Sequence, residues 1–269
     1  MKTARTVAEL RELLEPARIG SEVGLVPTMG SLHDGHAALV RAACAECDVV
    51  VTSIFVNPAQ FGPAEDFGTY PRDEKGDARL AEDWGVDYLF IPPVEEIYPA
   101  GFQTWVDLDE LSRRLEGTAR PGHFRGVATV CLKLFNIVRP RRAYFGEKDA
   151  QQAAVVQQLV RDLQLDLEIR VVPTVRDDDG LAVSSRNTQL SAEEREAALA
   201  LPRALFAGEE AHRQGKDAAN IARAILAEEG RLEPEYVEVA RFNGRLYLVA
   251  AARAGRTRLI DNVPLEERS

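Results

Sequence analysis

The sequence predicts an α/β fold, a Rossmann-like doubly wound parallel sheet followed by a smaller C-terminal α+β domain. Three observations predict it. Short β-branched runs of buried-strand type alternate with helical patterns over the first two-thirds of the chain. The helical stretches are long enough to serve as the crossovers that parallel strands need. After about Val175 the alternation stops, and helices are followed by three strands. The predicted domains are residues 1–175 and 176–269.

The elements follow in order. Thr6 and Glu9 have capping-box spacing and open an amphipathic helix. EVGLVP (Glu22 to Pro27) reads as a strand, His33 to Glu46 as a helix and DVVVTSIF (Asp48 to Phe55) as a buried strand. Pro71 to Trp84 is helical and Asp87 to Pro92 a strand. Gly126 to Val138 has helical spacing despite the β-branched Val127, Thr129, Val130 and Val138. RAYFGE is a strand ending in a turn, Asp149 to Asp162 a helix and LEIRVVPTV a strand. RDDDG is then a turn, and Ser191 with Glu194 is a second capping box. It opens a long helix that Pro202 kinks or splits. A helix near Asp217 to Glu229 precedes the strands EYVEVARF, RLYLVAAAR and RTRLIDNV, with Asn243-Gly244 as a hairpin turn.

Bulk properties narrow the function. The formal net charge of -10 repels nucleic-acid phosphates, so no nucleic-acid partner is expected. No apolar run reaches the roughly 18 residues of a membrane span, and the charged start MKTARTVAELREL does not read as a signal peptide. Cys44, Cys47 and Cys131 make no disulfide framework; the C-A-E-C pair reads as packed thiols in a reducing cytosol.

In doubly wound sheets ligands bind beyond the carboxyl ends of the strands. At the first such end lies PTMGSLHDGH (Pro27 to His36). Gly30 permits a tight turn and Gly35 a close backbone approach. The helix that follows offers unpaired N–H groups and a positive dipole end to phosphate. His33 and His36, three residues apart, share one face of that helix turn and can donate to phosphate oxygens that gain charge. A zinc reading lacks a third ligand at a standard offset. No Walker A sequence or G-x-G-x-x-G occurs, which argues against P-loop kinases and NAD enzymes.

Four further segments carry polar groups at turns. In Ile54 to Asp73, an irregular loop of fixed shape, Asn57 and Gln60 are uncharged amides suited to a hydroxyl or carboxylate. GTARPGHFRG reads either as a mobile basic loop over a triphosphate or as arginines balancing an acidic surface, and Arg120 stays open between them. In YFGEKDAQQ, Lys148 stands near a helix start, where the dipole disfavours a cation unless an anion binds. Asp149 is a plausible N-cap, and Gln152 lies one turn on. VSSRN (Val183 to Asn187) reads as a phosphate clamp at the domain junction.

PTMGSLHDGH, NPAQFGPAEDFGTYPR, RPGHFRGV, FGEKDAQQ and SSRN, in this order and spacing, resemble the pantoate–β-alanine ligases of the H-x-G-H nucleotidyltransferase superfamily. The resemblance covers almost the whole chain, and LIDNV also fits it. The departures are Val183, where Leu or Met is frequent, and Ala37, where Leu is. The resemblance implies ATP-dependent joining of pantoate to β-alanine through a pantoyl adenylate. It implies ATP contacts at Met29, Gly30, Ser31, Leu32, His33, Asp34, Gly35, His36, Gly146, Glu147, Lys148, Asp149, Val175, Val183, Ser184, Ser185 and Arg186. His36 would be the general acid, His33 would share the phosphate charge, Lys148 would stabilise the transferring phosphate, and Ser184, Ser185 and Arg186 would hold the phosphates. Gln60 and Gln152 would bind pantoate, with Asn57 as a weaker candidate. The resemblance further implies Mg2+ with ATP, with metal-ligating residues unknown. It implies a cytoplasmic homodimer, and a C-terminal domain that closes over the active site.

Two rivals remain at this level. One is another H-x-G-H nucleotidyltransferase acting on a phosphorylated acceptor, which would want basic residues where this chain has amides. The other is a nucleotide-sensing module without turnover, against which the set His33, His36, Lys148 and Arg186 speaks.

Overall fold

The computed structural model describes residues 1–62, 67–68 and 70–267 of the 269-residue chain. The irregular loop expected over Ile54 to Asp73 includes residues 63–66 and 69, which lie outside the described residues. The chain divides into two compact units. One comprises residues 1–146 and 151–172, the other 147–150 and 173–269.

In the first unit, β1 (Lys2–Ala4), α1 (Val7–Leu14), β2 (Val23–Thr28), α2 (Asp34–Glu46) and β3 (Val49–Ile54) are followed by α3 (Glu74–Asp83) and β4 (Tyr88–Phe90). Two single-turn helices come next, α4 (Val94–Ile97) and α5 (Glu116–Ala119), then α6 (His123–Val138), β5 (Arg142–Gly146), α7 (Ala150–Asp162) and β6 (Glu168–Val172). Among the described residues six strands pair in the order β1-β4-β3-β2-β5-β6, every pair parallel. This is the predicted doubly wound sheet.

Successive strand residues feed opposite cores, as the period of two requires. Leu25 of β2, Val51 of β3 and Phe145 of β5 pack with Leu10, Leu14, Val127 and Val155. Val26, Val50 and Tyr144, their sequence neighbours, pack with Leu39, Val40 and Ala81. Helices α1, α6 and α7 therefore cover one face, α2 and α3 the other. The chain runs outward from β2 through β3 and β4, then returns to β5 on the other side of β2. The order reverses between β2 and β5, and ligands of such sheets collect at the carboxyl ends there.

Some boundaries differ from expectation for local reasons. The strand β1 was not expected, because Lys2, Thr3 and Ala4 carry no apolar run; pairing with Tyr88–Phe90 makes it a strand. Helix α3 begins at Glu74, not Pro71, because the Asp73 carboxylate caps it, accepting from the Gly76 N–H at 3.0 Å. Helix α6 begins at His123, three residues early, so Arg125 and Gly126 are helical and not part of a loop. Glu147–Asp149 form one tight 3-10 turn before α7.

The second unit holds α8 (Ala192–Ala198), α9 (Ala200–Arg213) and α10 (Ala218–Glu229), then β7 (Leu232–Phe242), β8 (Arg245–Ala254) and β9 (Thr257–Leu265). The three strands form an antiparallel sheet in sequence order. Pro202 has no N–H for the Ala198 carbonyl, and the long helix splits at Leu199. Asn243 (φ 47°) and Gly244 (φ 87°) both take the left-handed conformation of a two-residue hairpin. Both predicted capping boxes, Thr6 with Glu9 and Ser191 with Glu194, form. Helices and sheet bury one core around Leu201, Leu205, Leu226 and Leu248. No helix among the described residues is long and apolar enough to cross a membrane.

One cysteine departs from expectation. Cys131 is buried and Cys47 half-buried, but Cys44 is exposed, its thiol 3.7 Å from the Gly85 carbonyl oxygen. It follows Ala43, where the buried stripe of α2 ends.

Candidate active site

The segment after β2 is organised by two devices. The first is a reversal at Gly30 (φ 82°) and Ser31 (φ 52°). A Cβ on Gly30 would stand 2.8 Å from an Asp77 carboxylate oxygen, so glycine is needed for both conformation and space. The Asp77 carboxylate, buried on α3, accepts the N–H of Ser31 at 2.8 Å and of Leu32 at 2.7 Å. Burial pushes this carboxyl above its ordinary range, against the two hydrogen bonds.

The second device is the histidine pair. His33 is the N-cap of α2 and accepts the Gly35 N–H on its Nδ1 at 3.2 Å; His36 Nδ1 accepts the His33 N–H at 3.3 Å. The reciprocal pattern is that of a capping box, with imidazoles in place of hydroxyl and carboxylate. Both Nδ1 atoms accept, so each neutral ring carries its proton on Nε2. The ring centroids are 4.0 Å apart. A Cβ at position 35 would lie 2.9 Å from the His33 ring, which is why Gly35 is there. Leu32, Ser31, His33 and His36 are half-buried and Asp34 is exposed.

Gln60 is buried beside this segment, its Nε2 donating to the Met29 thioether sulfur at 3.1 Å. Thioether sulfur is a weak acceptor, so this contact yields easily to a stronger one. Asn57 is different. Its Nδ2 donates to Gln60 Oε1 at 3.0 Å and to the Gly126 carbonyl at 3.1 Å. Its Oδ1 accepts from the Ala59 N–H at 3.2 Å and the Tyr98 hydroxyl at 2.9 Å. Every donor and acceptor of the Asn57 amide has a partner within the protein, which makes it the support of Gln60. Burial drives the Tyr98 phenol far above its usual range, so it remains a donor.

The segment around Arg120 is likewise committed. The Gln60 carbonyl oxygen accepts from His123 Nδ1 at 2.9 Å and from an Arg120 guanidinium nitrogen at 3.4 Å, and Arg120 also donates to His123 Nε2 at 3.0 Å. Arg120 and His123 thus brace the backbone at Gln60. Gly126, one turn into α6, is required for close packing: a Cβ there would meet the Ala59 carbonyl oxygen at 2.3 Å. Gly146 ends β5 and Gln152 is half-buried on α7. Its neighbour Gln151 is buried and bonds the 111–116 segment.

The remaining candidates belong to the second unit. Val183 N–H donates to the Val175 carbonyl at 3.0 Å, closing the RDDDG turn, which Arg195 clamps through Asp177 and Asp179 at 2.7 Å each. Ser184 caps the short helical turn Ser185–Gln189, accepting the Arg186 N–H at 3.3 Å. Lys148, Ser184 and Arg186 line one cleft, together with Arg258 and Asp261. Glu147 is buried, and its carboxylate is occupied by Arg245 at 2.7 Å and the Tyr247 hydroxyl at 3.1 Å. Asp149, a plausible N-cap, ends the 3-10 turn immediately before α7 and is half-buried.

Sequence reading missed Asp77, Tyr98, Arg176 and Asn262. None stands at a strand-to-helix turn. The only available signal was an acidic residue on the apolar side of an amphipathic helix for Asp77, and two polar residues in succession within LIDNV for Asn262.

The chain is similar to known proteins over nearly its full length. The Pantoate-beta-alanine ligase family model matches residues 2–264. The chain is 52% identical to the pantothenate synthetase of Acidobacterium capsulatum over 292 residues, covering 99% of this chain and 98% of that protein. It is 47% identical to the crystal structure of pantothenate synthetase from Thermus thermophilus, with a TM-score of 0.93 and coverage of 98% and 99%. The Francisella tularensis pantoate-beta-alanine ligase, complexed with beta-gamma ATP and beta-alanine, is 36% identical, with a TM-score of 0.85 and coverage of 98% and 97%. By sequence and by fold, the chain belongs to the pantoate–β-alanine ligase family.

Proposed function

We infer that the protein condenses pantoate with β-alanine at the expense of ATP, giving pantothenate, AMP and pyrophosphate. The observation that carries this reading is the reciprocal cap of His33 and His36 at a helix N-terminus, within a family of that activity.

The chemistry follows from what a carboxylate lacks. Its oxygen is a poor leaving group, so amide formation needs activation. In the proposed first step a pantoate carboxylate oxygen attacks the α-phosphorus of ATP, and the bond to the β-phosphate oxygen breaks. Negative charge grows on the departing pyrophosphate, where the Nε2–H groups of His33 and His36 donate. Met29 to His36, Gly146 to Asp149, Val175 and Val183 to Arg186 are assigned to ATP, with Lys148, Ser184, Ser185 and Arg186 taking phosphate charge. Gln60 and Gln152 take the hydroxyls and carboxylate of pantoate. In the second step the β-alanine amine attacks the acyl carbon of pantoyl adenylate, AMP leaves, and the nitrogen loses a proton. No covalent enzyme intermediate is required, so positioning and charge stabilisation supply the rate.

Among the described residues no three His, Cys, Asp or Glu side chains form a metal-binding group. Mg2+ is proposed as the ion that accompanies ATP, as is usual for its phosphates. The three free cysteines suit a reducing cytoplasm, and a homodimer is proposed from the resemblance alone. Light scattering that gives the monomer mass at working concentration overturns the dimer.

The discriminating experiment is pantothenate formation from ATP, pantoate and β-alanine, with pyrophosphate release followed in parallel. Release that needs pantoate but not β-alanine is expected. Release indifferent to pantoate would return the assignment to another nucleotidyltransferase, and tight ATP binding with no release to a sensing module.

A further inference from the structure

The 3-10 turn that carries Lys148 is held by a residue more than a hundred positions later. Asn262, buried in β9, donates one amide to two successive carbonyls, those of Glu147 at 2.8 Å and of Lys148 at 2.7 Å. The carbonyl of Lys148 itself is therefore fixed, and with it the direction in which the Lys148 side chain leaves the backbone.

Asn262 is in turn held through its own backbone. Its N–H donates to the Asp261 carboxylate at 2.7 Å, and its carbonyl accepts from Arg176 at 3.2 Å. Arg176 grips Asp261 with two parallel hydrogen bonds of 2.7 and 3.0 Å, a geometry that fixes planes as well as distances. The other end of the turn is fastened through Glu147, whose carboxylate meets Arg245 and Tyr247 of β8. Lys148 lines the same cleft as Ser184, Arg186 and Asp261. The antiparallel sheet of the second unit is thus the template on which the lysine turn is set.

We propose that Asn262 is a positioning residue for the adenylyl-transfer step, acting through the backbone carbonyls of Glu147 and Lys148 to aim the Lys148 ammonium. The proposal rests on the assignment of Lys148 to phosphate made above. An arrangement off by about 1 Å costs as much as 10²-fold in rate, so loss of the amide should be felt in turnover before it is felt in substrate binding.

The test is a double-mutant cycle of Asn262→Ala and Lys148→Ala, read as single-turnover pyrophosphate release from ATP and pantoate at saturating enzyme. Asn262→Ala is expected to lower the rate about 10-fold to 10²-fold, while KM for pantoate and β-alanine, measured in parallel by steady-state pantothenate formation, stays within about twofold of the parent. In the Lys148→Ala background the same substitution is expected to cost less than about twofold. An equal loss in both backgrounds, a uniform rise in every KM, or an undiminished rate for Asn262→Ala overturns the proposal. Should Asn262→Ala fail to fold, Asn262→Ser retains one donor and is run through the same cycle with the same criteria. A near-full rate for Lys148→Ala alone refutes the assignment of Lys148 instead, whereas a slow Lys148→Ala with additive Asn262 losses refutes only the positioning role.

Discussion

The carboxylate of Asp77 and the backbone N–H of Leu32 meet at 2.7 Å, and the same carboxylate takes the Ser31 N–H at 2.8 Å. The turn that presents the two histidines is therefore shaped by a buried charge on another helix. Asp77→Asn keeps the volume but turns one acceptor into a donor facing an N–H. Pyrophosphate release is expected to fall about tenfold or more, as for a misplaced catalytic group.

The same variant separates stability from activity. Burial raises the Asp77 carboxyl above its ordinary value of 3.8, so the folded state binds this proton more tightly than the unfolded state. The folded protein then gains stability at low pH that is lost as pH rises from the ordinary value through the raised one. The difference in Tm, parent minus Asp77→Asn, is expected to shrink as pH rises through that window. A difference that grows with pH would show that the two N–H bonds outweigh burial.

His36→Ala and Lys148→Ala are each expected to lower turnover by about 10²-fold or more, the usual cost of losing a preorganised charge stabiliser. Circular dichroism must show both variants folded, and near-full rates would remove these residues from the mechanism.

Asn57→Ala removes an amide whose four hydrogen bonds are all internal. The Tyr98 hydroxyl and the Gly126 carbonyl lose a partner, at about 1–3 kcal/mol for a buried group left unpaired. A lower Tm and a raised KM for pantoate are expected together. Tyr98→Phe, which frees only one side of the amide, should give a smaller change in the same direction; an unchanged KM in both would separate the network from the substrate.

The thiols differ in reach. Burial pushes Cys131 up to about 12, while Cys44 is exposed. Titration of the native protein with a thiol-reactive dye should leave Cys131 silent until denaturant is added. Early modification of Cys131 would contradict its place in the core.

The sequence by itself determined the parts that depend on local pattern. β-Branched runs and helical periodicity placed five of the six parallel strands and their crossover helices, capping boxes marked two helix starts, and Asn243-Gly244 marked a hairpin. It also singled out His33, His36, Gln60 and Lys148 as candidates, because positions at strand-to-helix turns carry meaning without coordinates. Only the tertiary structure decided what holds those groups. Asp77 reaches the histidine turn across 45 positions of chain, Asn57 is occupied by Tyr98 and Gly126, and Asn262 grips the Lys148 turn across 114. Each relation is a hydrogen bond between distant segments. Its partners are chosen by how strands and helices pack, which no local spacing encodes.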